Sequence, residues 1–218
     1  MSKIRVLIVD DHPIVREGLV RRINAEQDMQ ACGEAESAAE ALEAAEKLQP
    51  DLIVVDLGLK DSNGLDLIKD LRIRQPKLPV LVLSMQDESF YAERALRAGA
   101  RGYIMKQEAA ENIIVAIRRV LEGQVYVSEN LASRLLETMV TGKHWSEDGS
   151  IDLLSDRELE VFDLLGRGLA TRQIAERLHV SVKTVETYRE HIKDKLHIDN
   201  ANELVHQAVL WVQKRAAP

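Results

Sequence analysis

Between Lys3 and Gly123, short apolar runs alternate with segments of helical periodicity, and no other feature of the chain limits its fold as tightly. The runs IRVLIV, QACGEA, LIVVD, PVLVLS and RGYIM are too short for buried helices. Most are rich in Val, Ile and Leu, as strands covered on both faces are. The segments PIVREGLVRRINA, AAEALEAAEKL, GLDLIKDLRIR, SFYAERALRAGA and AAENIIVAIRRVLEG place apolar residues at helical spacing. Five strands alternating with five helices predict an α/β fold: a doubly wound, five-stranded parallel sheet with helices on both faces.

At 218 residues the chain has room for two modest domains. No apolar stretch approaches the roughly 18–20 residues that span a bilayer, and the N-terminus lacks the apolar core of a signal peptide. Cys32 is the single cysteine, so no internal disulfide can form. The expected compartment is therefore the cytoplasm, with no membrane partner. After this first domain (1–123), residues 124–151 start helix-like and end in Gly, Ser and acidic residues without periodicity. They predict a helix running into a flexible linker, in which Trp145 is either a docking residue or a loosely tethered aromatic.

From residue 152 to 218 the pattern is all-helical. LLSDRELEVFDLLGRG opens with a capping box, Ser155 and Glu158, and stops at Gly168. Segments 171–178 and 182–196 follow, the second with Ser181 as N-cap, and then a fourth, amphipathic helix. On the third helix Val185, Ile192 and Leu196, with Tyr188 near them, form the core-facing stripe. Lys183, Glu186, Thr187, Glu190 and Asp194 lie opposite. Formal charge across 151–218 is only −1, so composition alone does not suggest nucleic acid, but 171–195 carries a local +2.

In an open α/β sheet, function gathers beyond the carboxyl ends of the strands. Asp10 and Asp11 follow the first run, Asp56 the third, Ser84 the fourth and Lys106 the fifth. The helix starting at Pro13 could claim an Asp as its N-cap, but that accounts for one carboxylate of the pair and leaves the other. Clustered carboxylates without His or Cys are a hard-oxygen site suited to Mg²⁺. Asp56 can take a phosphoryl group as an acyl phosphate, Lys106 can pair with a phosphoryl oxygen, and Ser84 can donate to another.

The stretches IVDDHPIVREGL, DLIVVDLGLKDSNGLDLI, VLVLSMQDE and GARGYIMK resemble the receiver domain of bacterial two-component response regulators, over about residues 3–123. The resemblance implies a flavodoxin-like fold with Asp56 as phospho-acceptor. It also implies Mg²⁺ on Asp10, Asp11, Asp56 and the backbone carbonyl of Gly58, and Ser84 with Tyr103 as the switch pair. Lys60 stands where such receivers commonly carry proline, which predicts a looser loop. Met85 replaces a frequent alanine and predicts narrower access to the phosphoryl pocket.

LSDRELEVFDLLGRGLATRQIAERLHVSVKTVETYREHIKDKLHI, over about 152–215, is similar to the four-helix LuxR-type helix-turn-helix. Joined to a receiver it implies the NarL/FixJ class of transcriptional regulators, not an enzyme. The third helix would enter the major groove of double-stranded DNA. Lys183 and Thr187 are then base or phosphate contacts, and Glu186 accepts from a cytosine amino group. Thr184, Arg189, Lys193 and Lys195 hold phosphates. Tyr188 replaces a frequent histidine and Ala201 a common arginine.

These resemblances imply a sensor histidine kinase as phosphodonor, homodimers on phosphorylation or DNA binding, and RNA polymerase as a further candidate partner. Two other readings compete. An aspartyl phosphohydrolase would use the same carboxylates, but Gly58 stands two past Asp56 where a second acid/base would be needed. A receiver working as an unphosphorylated dimerisation module would not need the full acceptor set.

Overall fold

The computed structural model describes residues 3–59, 63–141 and 151–216. Lys60 and Trp145 lie outside these described residues, with the loop and linker expected around them. The chain divides into two compact units, Met1–Glu137 and Thr138–Pro218.

The first unit follows the alternation read from the sequence. Strands β1 (Ile4–Val9), β2 (Met29–Ala35), β3 (Leu52–Val55), β4 (Val80–Ser84) and β5 (Gly102–Met105) alternate with helices α1 (Pro13–Asn24), α2 (Ala38–Leu48), α3 (Gly64–Arg74), α4 (Glu88–Ala98) and α5 (Ala109–Leu121). Every pairing is parallel, in the order β2-β1-β3-β4-β5. Strand order therefore reverses at β1, which puts the ends of β1 and β3 side by side at the switch point.

Alternate strand residues feed opposite layers. Val6, Ile8, Leu52, Val54, Leu81, Leu83 and Ile104 pack with Leu19 and Ile23 of α1 and Ile113, Ile117 and Val120 of α5. The intervening Leu7, Val9, Ile53, Val55 and Val82 are equally buried, which explains why these runs are apolar throughout rather than alternating. Helices α2, α3 and α4 adjoin one another in sequence.

Helix starts follow local chemistry. Ser37, Asn63 and Asp87 cap α2, α3 and α4 through their side chains. The start of α1 differs from the capping reading. Pro13 is its first residue, but His12 is the N-cap and makes no side-chain cap bond. Instead the Asp10 carboxylate accepts from the His12 backbone N–H at 2.9 Å, which leaves Asp11 unspent on capping.

The first unit runs beyond residue 123. Tyr126 pairs singly with the outer side of β5: the Tyr103 N–H donates to its carbonyl at 2.8 Å, and its own N–H donates to the Arg101 carbonyl at 3.0 Å. A side chain at Gly102 would press on the Tyr126 backbone, so glycine makes room for this closure of a sheet edge. Ser128 then opens α6 (Glu129–Thr141), its hydroxyl accepting from the Leu131 N–H at 3.1 Å.

The second unit holds α7 (Asp156–Gly166), α8 (Thr171–Arg177), α9 (Val182–Leu196) and α10 (Ala201–Ala216). The Ser155–Glu158 capping box starts α7, Gly168 takes the positive φ after it, and Ser181 caps α9. Phe162 of α7 meets Trp211 of α10 with ring centroids 5.4 Å apart. Val185 and Ile192 are fully buried and Leu196 half-buried, as the stripe requires.

Candidate functional site

The residues expected on the sheet rim meet there. Asp10 and Asp56 directly follow β1 and β3, Ser84 ends β4, and Lys106 follows β5. Asp10, Asp11, Ser84 and Asp56 are all buried. The Lys106 ammonium stands 2.7 Å from Asp10 Oδ2 and 2.7 Å from Asp56 Oδ2, its side chain only 7% exposed. One cation thus bridges two strand ends that lie on opposite sides of the switch point.

Three carboxylates and one lysine leave the rim net negative. One donor atom from each of Asp10, Asp11, His12 and Asp56 lies within 4.8 Å of the others. Asp11 Oδ1, a buried oxygen, has the exposed His12 ring 2.6 Å away. A hard divalent cation fits this donor set, since buried acidic oxygens outnumber the lysine that serves them. Gly58 is exposed beside the cluster, an added Cβ there reaching 3.7 Å from Asp56 Oδ2, and its backbone hydrogen-bonds the Asp56 carboxyl.

Burial pushes the Asp56 carboxyl above its ordinary range, with Lys106 pulling the other way and Asp10 adding to the rise. For Lys106, burial alone would lower its pKa, but the Asp56 and Asp10 carboxylates outweigh it and hold the amine protonated.

Ser84 and Tyr103, the residues expected as a switch pair, both adjoin Gln86. Tyr103 is turned inward and fully buried, its hydroxyl donating to the Gln86 carbonyl at 2.7 Å. Ser84 Oγ also accepts from the Gln86 N–H at 3.1 Å. Burial raises the Tyr103 phenol well above its normal pKa. Met85 is 58% exposed.

Sequence reasoning missed three supports of this rim. Gly64, the first residue of α3, sits so close to β3 that a Cβ would come within 2.5 Å of Leu57 Cα and nearer still to the Asp56 carbonyl. Arg16 reaches from α1 to the Asp10 backbone. Ser128 hydrogen-bonds Glu88, in the first turn of α4. None of these partners lies within a helical or strand repeat of the residue concerned, so periodicity carries no sign of them. The nearest signal was Gly64, inside the SNGLDLI stretch.

In the second unit the outer face of α9 is as expected: Lys183, Glu186, Thr187, Glu190 and Asp194 are exposed. The residues assigned to phosphates are less free. Lys195 pairs with Glu158 of α7 at 2.6 Å, Lys193 with Glu190 at 2.7 Å, and Arg189 donates to Thr171 of α8 at 2.5 Å. Thr184 shares a hydrogen bond with the capping Ser181 at 2.7 Å. Tyr188 is half-buried, and Ala201 begins α10.

Residues 6–118 match the response regulator receiver domain family, and residues 152–208 match the luxR family of bacterial regulatory proteins. The oxygen regulatory protein NreC of Staphylococcus haemolyticus is 35% identical over 209 residues, covering 94% of this chain and 96% of that protein. NreC of Staphylococcus epidermidis is 34% identical over 210 residues, with the same shares. Among solved structures, the RcsB response regulator of Salmonella typhimurium aligns with a TM-score of 0.67 at 26% identity, covering 96% of this chain and 98% of that one. RcsB of Salmonella enterica serovar Typhimurium, bound to promoter P1flhDC with the phosphomimetic BeF3-, aligns at 0.63 and 27% identity, over 95% and 98%. These matches span both units, and the chain belongs to the NarL/FixJ class of response regulators, transcriptional regulators that join a receiver domain to a luxR-family helix-turn-helix.

Proposed function

We propose that this chain accepts a phosphoryl group on Asp56 from a sensor histidine kinase and, as a homodimer, binds double-stranded DNA through α9 to regulate transcription in the cytoplasm. The observation that carries the reading is the convergence of Asp10, Asp11, Asp56 and Lys106 on one buried rim. We take the receiver to comprise residues 1–123, the helix and linker 124–151, and the DNA-binding domain 152–218.

Transfer forms a bond between an Asp56 carboxylate oxygen and phosphorus as the donor's phosphorus–nitrogen bond breaks. Asp10, Asp11, Asp56 and the Gly58 carbonyl would hold Mg²⁺, whose charge offsets that of the phosphoryl oxygens. Lys106 is already ion-paired to Asp56 and turns to a phosphoryl oxygen once the aspartate is esterified. Ser84 leaves the Gln86 N–H and donates to a third phosphoryl oxygen. That exchange, through Gln86, alters the Tyr103 hydroxyl, whose own backbone is bonded to Tyr126, while Glu88 at the start of α4 is bonded to Ser128. The two bonds lead from the switch pair into α6, and so into the chain that continues to the helix-turn-helix.

On DNA, Lys183, Glu186 and Thr187 face the base edges and Thr184 the backbone. Arg189, Lys193 and Lys195 reach phosphates after leaving their internal partners, so they contribute less than free cations would. Recruitment of RNA polymerase belongs to the same reading. The test is DNA affinity measured with and without a small phosphodonor and Mg²⁺. Tighter binding that requires Asp56 supports the reading, and identical binding in both states refutes it.

A further inference from the structure

We infer that Arg16 is a positioning residue for the phosphorylation site, fixing the aspartate pair through the Asp10 backbone; the inference rests on the reading of the rim as a cation-dependent acceptor. Arg16 is only 8% exposed, although it is charged and sits in the first turns of α1. A cation there opposes the helix dipole, and α1 carries no acidic residue in its first turn to compensate. A buried charge in such a place needs its own partners.

Arg16 has three. One guanidinium nitrogen donates to the Asp10 carbonyl at 2.7 Å, a second to Glu36 at 2.6 Å, and Nε to Glu34 at 3.3 Å. Glu34 belongs to β2 and Glu36 directly follows it, so the fork ties the carboxyl ends of β1 and β2 to α1. The Asp10 carbonyl is the peptide group that joins Asp10 to Asp11. Its orientation therefore sets where both carboxylates point relative to Asp56. The planar five-donor fork suits this role, which a lysine could fill only in part.

Two effects of Arg16 on a bound cation have opposite signs, and this makes the inference decidable. Removing a positive charge near the rim would favour a cation by simple Coulomb attraction, the more so since Glu34 and Glu36 would be left unpaired. Loosening the aspartates would disfavour it. Glu34 and Glu36 already neutralise the guanidinium, so orientation dominates. Groups that orient metal ligands in this way typically change affinity by about 10- to 100-fold when removed.

The test is calorimetric titration of the full chain with Mg²⁺ alone, alongside the rate of labelling by a small phosphodonor across a Mg²⁺ series. The expected result for Arg16→Met is Mg²⁺ binding weaker by about tenfold or more. Its labelling rate should recover at saturating Mg²⁺, and Arg16→Lys should fall between it and the unaltered chain. Arg16→Lys keeps the positive charge and loses the fork, so its loss cannot be Coulombic, and it serves if Arg16→Met does not fold. Unchanged or tighter Mg²⁺ binding in a folded Arg16→Met chain, with only a lower melting temperature, would overturn the inference. Absence of Mg²⁺ binding in the unaltered chain would instead sink the reading of the rim itself.

Discussion

On the sheet rim the Asp10, Asp56 and Lys106 side chains are each less than a tenth exposed, with Lys106 2.7 Å from both carboxylates, whereas Lys183, Glu186 and Thr187 stand in solvent on α9. The two regions use similar side chains under different physical rules. On the rim, water is excluded, so each charge depends on a particular partner and the loss of one strands the others. On α9, water already solvates each group, so a single deletion costs little and affinity is a sum of small terms. The rim is built to respond sharply to one added phosphoryl group. On the proposed reading, the helix face is delivered in copies, two half-sites at a time.

The sharpest way to break this comparison is Lys106→Met. It leaves two buried carboxylates without their cation, and folding stability should fall by about 3 kcal/mol, on the scale of a broken buried ion pair. Added Mg²⁺ should restore part of the loss, because a divalent ion supplies the missing positive charge. Thermal melts with and without Mg²⁺ decide this. A melting temperature unmoved by the substitution would mean that the rim is not governed by burial.

Asp56→Asn gives a second, pH-resolved effect. Burial holds the folded Asp56 pKa above its ordinary 3.8, so its ionisation opposes folding. That penalty is absent below 3.8 and complete once pH has risen through the folded value. Asp56→Asn should therefore raise the melting temperature at neutral pH, and its advantage should vanish as pH falls toward 3.8. A gain that grew on acidification would contradict the assigned direction.

A smaller effect is expected where the rim's signal leaves the receiver. Ser128→Ala removes the bond to Glu88 but touches none of the phosphoryl-site residues. Phosphorylation rate should stay within about twofold of the unaltered chain, while the phosphodonor-dependent gain in DNA affinity shrinks, a coupling loss of the usual 0.5–2 kcal/mol scale. Fluorescence anisotropy on a target duplex reads the second quantity. An undiminished gain would remove Ser128 from the route.

Least costly of all should be Lys183→Ala, weakening DNA binding by about tenfold at most with no change in melting temperature. Lys195→Ala should do the reverse, lowering the melting temperature through Glu158 and changing DNA affinity less. If Lys195→Ala proved the more damaging to DNA binding, its ion pair would not persist in the complex.

The parts of this molecule legible in its sequence are those with a local period or a local end. Strand runs such as LIVV and the Val185–Ile192 stripe are set by burial at fixed spacings, and Asp10, Asp56 and Ser84 sit at the points where those patterns stop. Family resemblance supplied the roles of Tyr103 and Gly58. Pairings across the fold had no such marker. Arg16 finds Glu34 in β2 and Glu36 just after it, Lys195 finds Glu158 across 37 positions, and Tyr126 closes a sheet edge with one residue. Each contact exists because the layers are stacked, so it becomes visible only after they are.

The decisive measurement is to label the full chain with a small phosphodonor and Mg²⁺ and map the phosphoryl group by mass spectrometry. One acid-stable, hydroxylamine-labile group on Asp56, absent from Asp56→Asn and absent when Mg²⁺ is chelated, is the expected result. A label on any other residue, or equal labelling of Asp56→Asn, would contradict the buried rim as the place where this regulator receives its signal.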